Sequence, residues 1–186
     1  AAWPAARSGF TGSGSEVPRT PPTAPPQAAS KRVERLRAVA AARVGGLRIV
    51  LEDLADFGNR AAVLRSVEGL GLLHVYEVTA PSSEGRVGGT ARTRSIVNGA
   101  EKWLELHKFD SSEECIAELH AEGFRVFAAM PPDRDAAVRR PQPLPLESLD
   151  FARETALLFG HEARGVSDAA LAACDGAFTV PLPGLT

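Results

Sequence analysis

The feature that most constrains this chain is the way apolar runs recur after residue 46. "LRIVLE" (47–52) is short and rich in branched apolar residues, and reads as a buried strand. From about Asn59 to Leu70, Ala61, Ala62, Val63, Leu64, Val67 and Leu70 leave few polar positions, as in a packed helix. "LLHVYEV" (72–78) and "WLELHKF" (103–109) read as further strands. A helix is expected from Ser111 to Glu122, opened by a Ser-x-x-Glu capping pattern and closed by Gly123. "FRVFAAM" (124–130), "TALLFG" (155–160) and "AFTVPL" (177–182) complete the strands, with a short helix, Ser167 to Ala173, between the last two. Strands interleaved with helices predict an α/β fold, a parallel sheet with helices on both faces. Its ligand site is expected at the carboxyl ends of the strands. The proline-rich stretch 131–150 is expected to be a surface loop or insertion.

Ahead of this domain the chain changes character. Residues 1–30 hold six prolines and one acid, Glu16, too little apolar surface to order themselves, and are expected to be a disordered tail. With Arg7 and Arg19 they also fit the end of an organellar transit peptide. "KRVERLRAVAAAR" (31–43) predicts an amphipathic helix, with Val33, Leu36 and Ala40 on one face and Lys31, Arg32, Arg35 and Arg43 mostly on another. Such a helix either grips phosphate or presents a solvated face, and this stretch alone leaves both open. The expected plan is a tail (1–30), a basic helix (31–46) and one folded domain (47–186).

Bulk properties exclude several classes. A chain of 186 residues that is 44% hydrophobic can build one real core. Its net charge of −2 and pI near 6.1 mean that any nucleic-acid surface is local. No apolar run approaches the ~20 residues of a membrane span, so a soluble protein is expected. Cys115 and Cys174 lie far apart and outside any CxxC pair, and His74, His107, His120 and His161 show no ligand spacing, so no metal is expected. Two isolated cysteines suit a reducing compartment: the cytoplasm, or a chloroplast or mitochondrion if the tail is a transit-peptide remnant. Neither GxxxxGK[ST] nor a helix-opening GxGxxG occurs, which removes P-loop enzymes and weakens a dinucleotide reading.

Three stretches remain, in order: Asn59, Ala62 and Arg65 as N-x-x-A-x-x-R after "RIVLED"; Gly160, Glu162, Gly165, Val166 and Ser167 in "LLFGHEARGVS" (157–167); and "VPLPG" (180–184). Together they resemble the SpoU-type RNA ribose 2′-O-methyltransferases of the SPOUT, or α/β-knot, superfamily, over about residues 31–186. The basic helix and "NGAEKWLEL" (98–106) look most like the tRNA guanosine-18 2′-O-methyltransferase branch. The resemblance implies an α/β-knot fold, S-adenosylmethionine as methyl donor, RNA and most of all tRNA as acceptor, and a homodimer. A catalytically inactive RNA-binding or assembly protein that keeps the fold is the alternative.

Read by their own chemistry, the motif residues also have ordinary roles. Asn59 suits a helix N-cap, and Arg65 a surface ion pair with Glu68. Six helical positions amount to roughly 600° of rotation, so Asn59 and Arg65 do not share a helix face and are expected to serve different partners or different subunits. Gly160 suits a close backbone approach and Gly165 a positive φ. By resemblance, Asn59 and Arg65 are the catalytic pair, with Arg65 orienting the ribose hydroxyl and stabilising its developing negative charge. A guanidinium is too weak an acid to serve as a literal base. Also by resemblance, the Gly160 loop holds the donor, with Ala129, Val180 and Leu182 around its adenine and Glu162 ordering the loop or a subunit interface. The family pattern continues past the third motif into S-L-N-x-S and a last helix. The chain stops at Thr186, so the knot is expected to be C-terminally incomplete and this chain itself inactive.

Overall fold

The computed structural model describes residues 26–79, 99–131 and 142–181. The chain divides into two compact units, Ala1–Ala38 and Val39–Thr186. Helix α1 runs Pro26–Ala41, beginning five residues inside the expected tail, with proline at the first helical position where its missing N–H costs nothing. It ends two residues before Arg43. All its residues from Ser30 to Ala41 are exposed, Val33 and Leu36 included.

The second unit holds β1 (Leu47–Glu52), α2 (Phe57–Gly69), β2 (His74–Val78), β3 (Glu105–Phe109), α3 (Ser112–Ala121), β4 (Arg125–Ala129), β5 (Leu144–Pro145), β6 (Thr155–Phe159), α4 (Asp168–Ala173) and β7 (Gly176–Thr179). A 3-10 turn, Ala100–Trp103, precedes β3 and replaces the start of the strand expected at 103. Among the described residues seven strands form one sheet, in the order β3-β2-β1-β6-β4-β7-β5. Every neighbouring pair is parallel, as the alternation of strands and helices requires. The stretch expected to be a loop contributes β5, which pairs at the sheet's edge beside β7, where Pro145 costs no central ladder bond.

Alternation along each strand divides the core between two faces. Ile49, Leu51, Val75, Phe127, Leu157 and Phe178 pack on one face with Leu64 and Val67 of α2. Val50, Tyr76, Val126, Ala156 and Leu158 pack on the other with Cys115, Ile116 and Leu119 of α3 and Ala170 of α4. A period of two in the strands and of three to four in the helices therefore meets a sheet covered on both sides. The order also creates a crevice. From β1 the chain steps outward through β2 to β3, whereas β4 and β7 lie on the other side and β6 enters between β1 and β4. The carboxyl ends of β1, β6 and β4 thus meet where the strand order reverses, the place at which open α/β sheets bind ligands.

Candidate active site at the carboxyl ends of the central strands

Two sequence-distant segments are joined here by one carboxylate. Glu162, in the loop after β6, accepts hydrogen bonds from Asn59 Nδ2 at 3.0 Å, from the Ala55 amide at 3.2 Å and from the Asp56 amide at 3.4 Å. The Asn59 bond, aided by those amides and opposed by partial desolvation, lowers its pKa from 4.5 to about 2. Asn59 is not the N-cap expected of it. The helix starts earlier, and Asp56 caps it by accepting from the Asn59 amide at 2.8 Å. With that duty taken by Asp56, the Asn59 side chain is available to Glu162.

The loop that carries Glu162 is closed on itself. His161 and Gly165 exchange both backbone hydrogen bonds, at 3.0 and 2.7 Å. A Cβ on Gly160 would lie 2.3 Å from the Gly165 carbonyl oxygen, so only glycine permits that approach, and Gly165 itself sits at φ 72°. Both glycine expectations are met. Beyond the loop, Ser167 caps α4 by accepting from the Ala170 amide. Ser167 also donates through its amide and hydroxyl to Glu52 at 2.9 and 2.6 Å, and Glu52 accepts from the Ser112 hydroxyl as well. Glu52 is buried at the end of β1, and with three donors its charge is accommodated. It ties β1 to the starts of α3 and α4, and no local sequence signal marks it. Asp53 follows with φ 51°, a left-handed conformation that a short polar side chain tolerates, at the rim of the crevice.

Arg65 lies exposed on α2, outside the buried set of Ala61, Leu64 and Val67. Arg60, five positions earlier, does what the sequence did not single out. It pairs with Glu77 through Nε at 2.5 Å and Nη2 at 3.0 Å, and with Glu101 through Nη1 at 2.6 Å. Burial pulls the Arg60 pKa down, but the bonds to Glu77 and Glu101 outweigh it and raise it overall. Arg60 and Glu77 line a cavity of about 400 Å³ with Leu54, Thr79, Lys108 and Asp110, at the carboxyl ends of β1, β2 and β3.

Ala129, at the end of β4, is half-buried against the α2-side core, and Val180 is exposed just past β7. With Gly160 they occupy the ends of the adjacent strands β6, β4 and β7. Leu182 lies outside the described residues. Beside Val180, the buried Thr179 hydroxyl has no hydrogen-bond partner among the described residues. Of the expected basic residues, Lys31, Arg32 and Arg35 are exposed on α1. Arg43 is set apart: its guanidinium donates to the Leu72 carbonyl and, at 3.0 Å, to the Trp103 carbonyl, which fastens the entries to β2 and β3.

A parallel sheet with a late strand inserted at the switch point, followed by a self-closed glycine loop pinned to the first turn of α2, defines an α/β protein with its site at the strand ends. Residues 46–186 match the SpoU rRNA methylase family, and the chain belongs to that family of RNA methyltransferases. Over 154 residues it is 29% identical to the tRNA (guanosine(18)-2′-O)-methyltransferase of Thermus thermophilus, covering 83% of this chain and 72% of that one. The enzyme of the same name from Aquifex aeolicus is 24% identical over 155 residues, covering 83% and 67%. The crystal structure of the A. aeolicus TrmH/SpoU tRNA modifying enzyme shares the fold, with a TM-score of 0.68 at 23% identity over 86% of this chain and 74% of that one. AviRb from Streptomyces viridochromogenes, a SpoU methyltransferase in complex with AdoMet, superposes with a TM-score of 0.61 at 18% identity, covering 77% and 54%.

Proposed function

We propose that this protein transfers a methyl group from S-adenosylmethionine to a ribose 2′-hydroxyl of tRNA, at guanosine 18. The observation that carries the reading is the Glu162 to Asn59 bond, which brings the Gly160 loop and the N-x-x-A-x-x-R helix to one crevice. The residues suit the donor. Ala129 and Val180 offer apolar surface to an adenine, the tight Gly160–Gly165 turn offers backbone groups, and the buried Thr179 hydroxyl has no partner among the described residues. When bound, S-adenosylmethionine supplies an electrophilic methyl group. In this reading Glu162 holds the loop in shape, and Arg65 orients the hydroxyl and stabilises negative charge on its oxygen through a planar, permanently charged fork. Leu182 completes the donor wall, and Lys31, Arg32 and Arg35 supply local positive charge for RNA phosphates. The bacterial relatives' names support the nucleotide, and the resemblance supports a homodimer, which sedimentation of the full-length protein tests. Activity is tested by incubating full-length protein with labelled donor and tRNA transcripts, and locating the product by nuclease digestion and mass spectrometry. A 2′-O-methylguanosine at position 18 is expected. A base methylation, or label retained by transcripts with 2′-deoxyguanosine at that position, would overturn the reading.

A further inference from the structure

Along the chain the histidines show no ligand spacing, but the register of β2 and β3 brings two of them together. His74 is paired with Glu105 and Tyr76 with His107. All four share the parity of Phe109 and Val78, whose side chains face the α3 side of the sheet. His107 therefore stands diagonally across from His74. Its Nε2 is 3.1 Å from His74 Nδ1, which is 3.4 Å from a Glu105 carboxylate oxygen, and one ligand atom from each residue falls within a 4.8 Å cluster. We infer that His74, Glu105 and His107 form a divalent-cation site, suited best to Zn(II), on the edge of the sheet remote from the strand ends that carry the methyl-transfer site.

The distances argue for this. Zinc bonds of about 2.0–2.1 Å at a tetrahedral angle separate two ligand atoms by roughly 3.3 Å, and both measured separations lie close to that. Two imidazoles and a carboxylate are a known zinc ligand set, with the fourth position left to water. Glu105 is the exposed member and His74 is half-buried, so an ion has a route in from the edge strand. The His107 ring is held by stacking on Tyr76, with centroids 4.5 Å apart and planes 13° from parallel, which reduces what ligation must order. The nearby Arg48 repels a cation, whereas Glu105 and the neighbouring Glu122 attract one. A bound ion would staple the edge strand β3 to β2.

The competing explanation of the short contact is a plain hydrogen bond between two neutral imidazoles, and Cys115 with Cys174 is the rival metal site. Full-length protein, stripped with chelator, is titrated with Co(II) and with Zn(II). The imidazole 15N resonances of the unsubstituted protein are followed alongside, so that the answer does not depend on how a variant folds. The expected result is one equivalent bound, resonance shifts confined to two of the four histidines, and a cobalt spectrum without thiolate charge transfer. His74→Ala and His107→Ala are each expected to weaken binding by at least ~10-fold, the scale at which even outer partners of a metal site act. His120→Ala, whose imidazole pairs with Asp175, is expected to leave it unchanged. No stoichiometric binding, unmoved histidine resonances, or a thiolate band would overturn the inference.

Discussion

Asn59 donates to Glu162 across 103 positions of sequence, at 3.0 Å, and that bond links the helix after β1 to the loop after β6. Because the Glu162 pKa is lower in the folded chain than its ordinary 4.5, the folded state binds its proton less tightly than the unfolded one. The stabilisation is present above pH 4.5 and is lost as pH falls towards about 2. Urea unfolding of the wild type should therefore show a decline across that window which Glu162→Gln lacks. At pH 7 the variant should be less stable by about 1 kcal/mol, the value of a charge-assisted hydrogen bond reduced for solvent exposure. Parallel pH profiles for the two proteins would contradict the role given to the carboxylate.

Gly160 and Gly165 should not tolerate alanine equally. At Gly160 the new methyl meets the Gly165 carbonyl at 2.3 Å and the Val166 nitrogen at 2.4 Å, backbone atoms of a loop closed by its own hydrogen bonds. At Gly165 nothing lies within 4 Å and only the positive φ opposes it. Gly165→Ala should cost about 1–2 kcal/mol, whereas Gly160→Ala should also open the loop and abolish donor binding. Calorimetric titration with S-adenosylmethionine beside thermal unfolding of both variants checks the order.

Arg60 holds two carboxylates, of which Glu77 is mostly buried. Arg60→Ala should destabilise by about 3 kcal/mol, since it strands a buried charge. Arg60→Ala with Glu77→Ala should cost clearly less than the two single losses added together. A double-mutant cycle in denaturant measures the coupling, and strict additivity would refute it.

Arg65 is exposed on α2 and takes no part in the core. In the proposed reaction, Arg65→Ala should remove methyl transfer while leaving donor affinity and melting temperature nearly unchanged. Arg65→Lys should restore little, because a point charge does not reproduce the planar fork. Single-turnover methylation with calorimetry separates the two effects, and normal turnover in either variant removes Arg65 from the chemistry.

Replacing Lys31, Arg32 and Arg35 together by Gln should weaken tRNA binding and flatten its dependence on salt, by about 0.9 in slope for each duplex phosphate that the helix no longer neutralises. Arg43→Gln should instead reduce thermal stability, because Arg43 is spent on the carbonyls of Leu72 and Trp103. Binding isotherms over a range of salt distinguish a phosphate grip from a solvated helix face.

The sequence by itself determined what depends on neighbours a few residues apart. Apolar alternation placed six strands, with ends moved by up to three residues. Ser111 announced its cap, and Gly160 and Gly165 their turn, because periodicity, capping and left-handed backbone are local properties. It mistook Asn59 for a cap because Asp56, three residues earlier, offers an equally good acceptor. The two-residue strand β5 was invisible, since its pairing with β7 depends on the partner and not on its own composition. Only the tertiary structure decided which charges meet: Glu162 with Asn59, Arg60 with Glu77 and Glu101, Glu52 with two serines, and His74 with His107. Those pairings follow from strand order and register, which are set by how all the elements bury their apolar faces at once, and no stretch of chain carries that information alone.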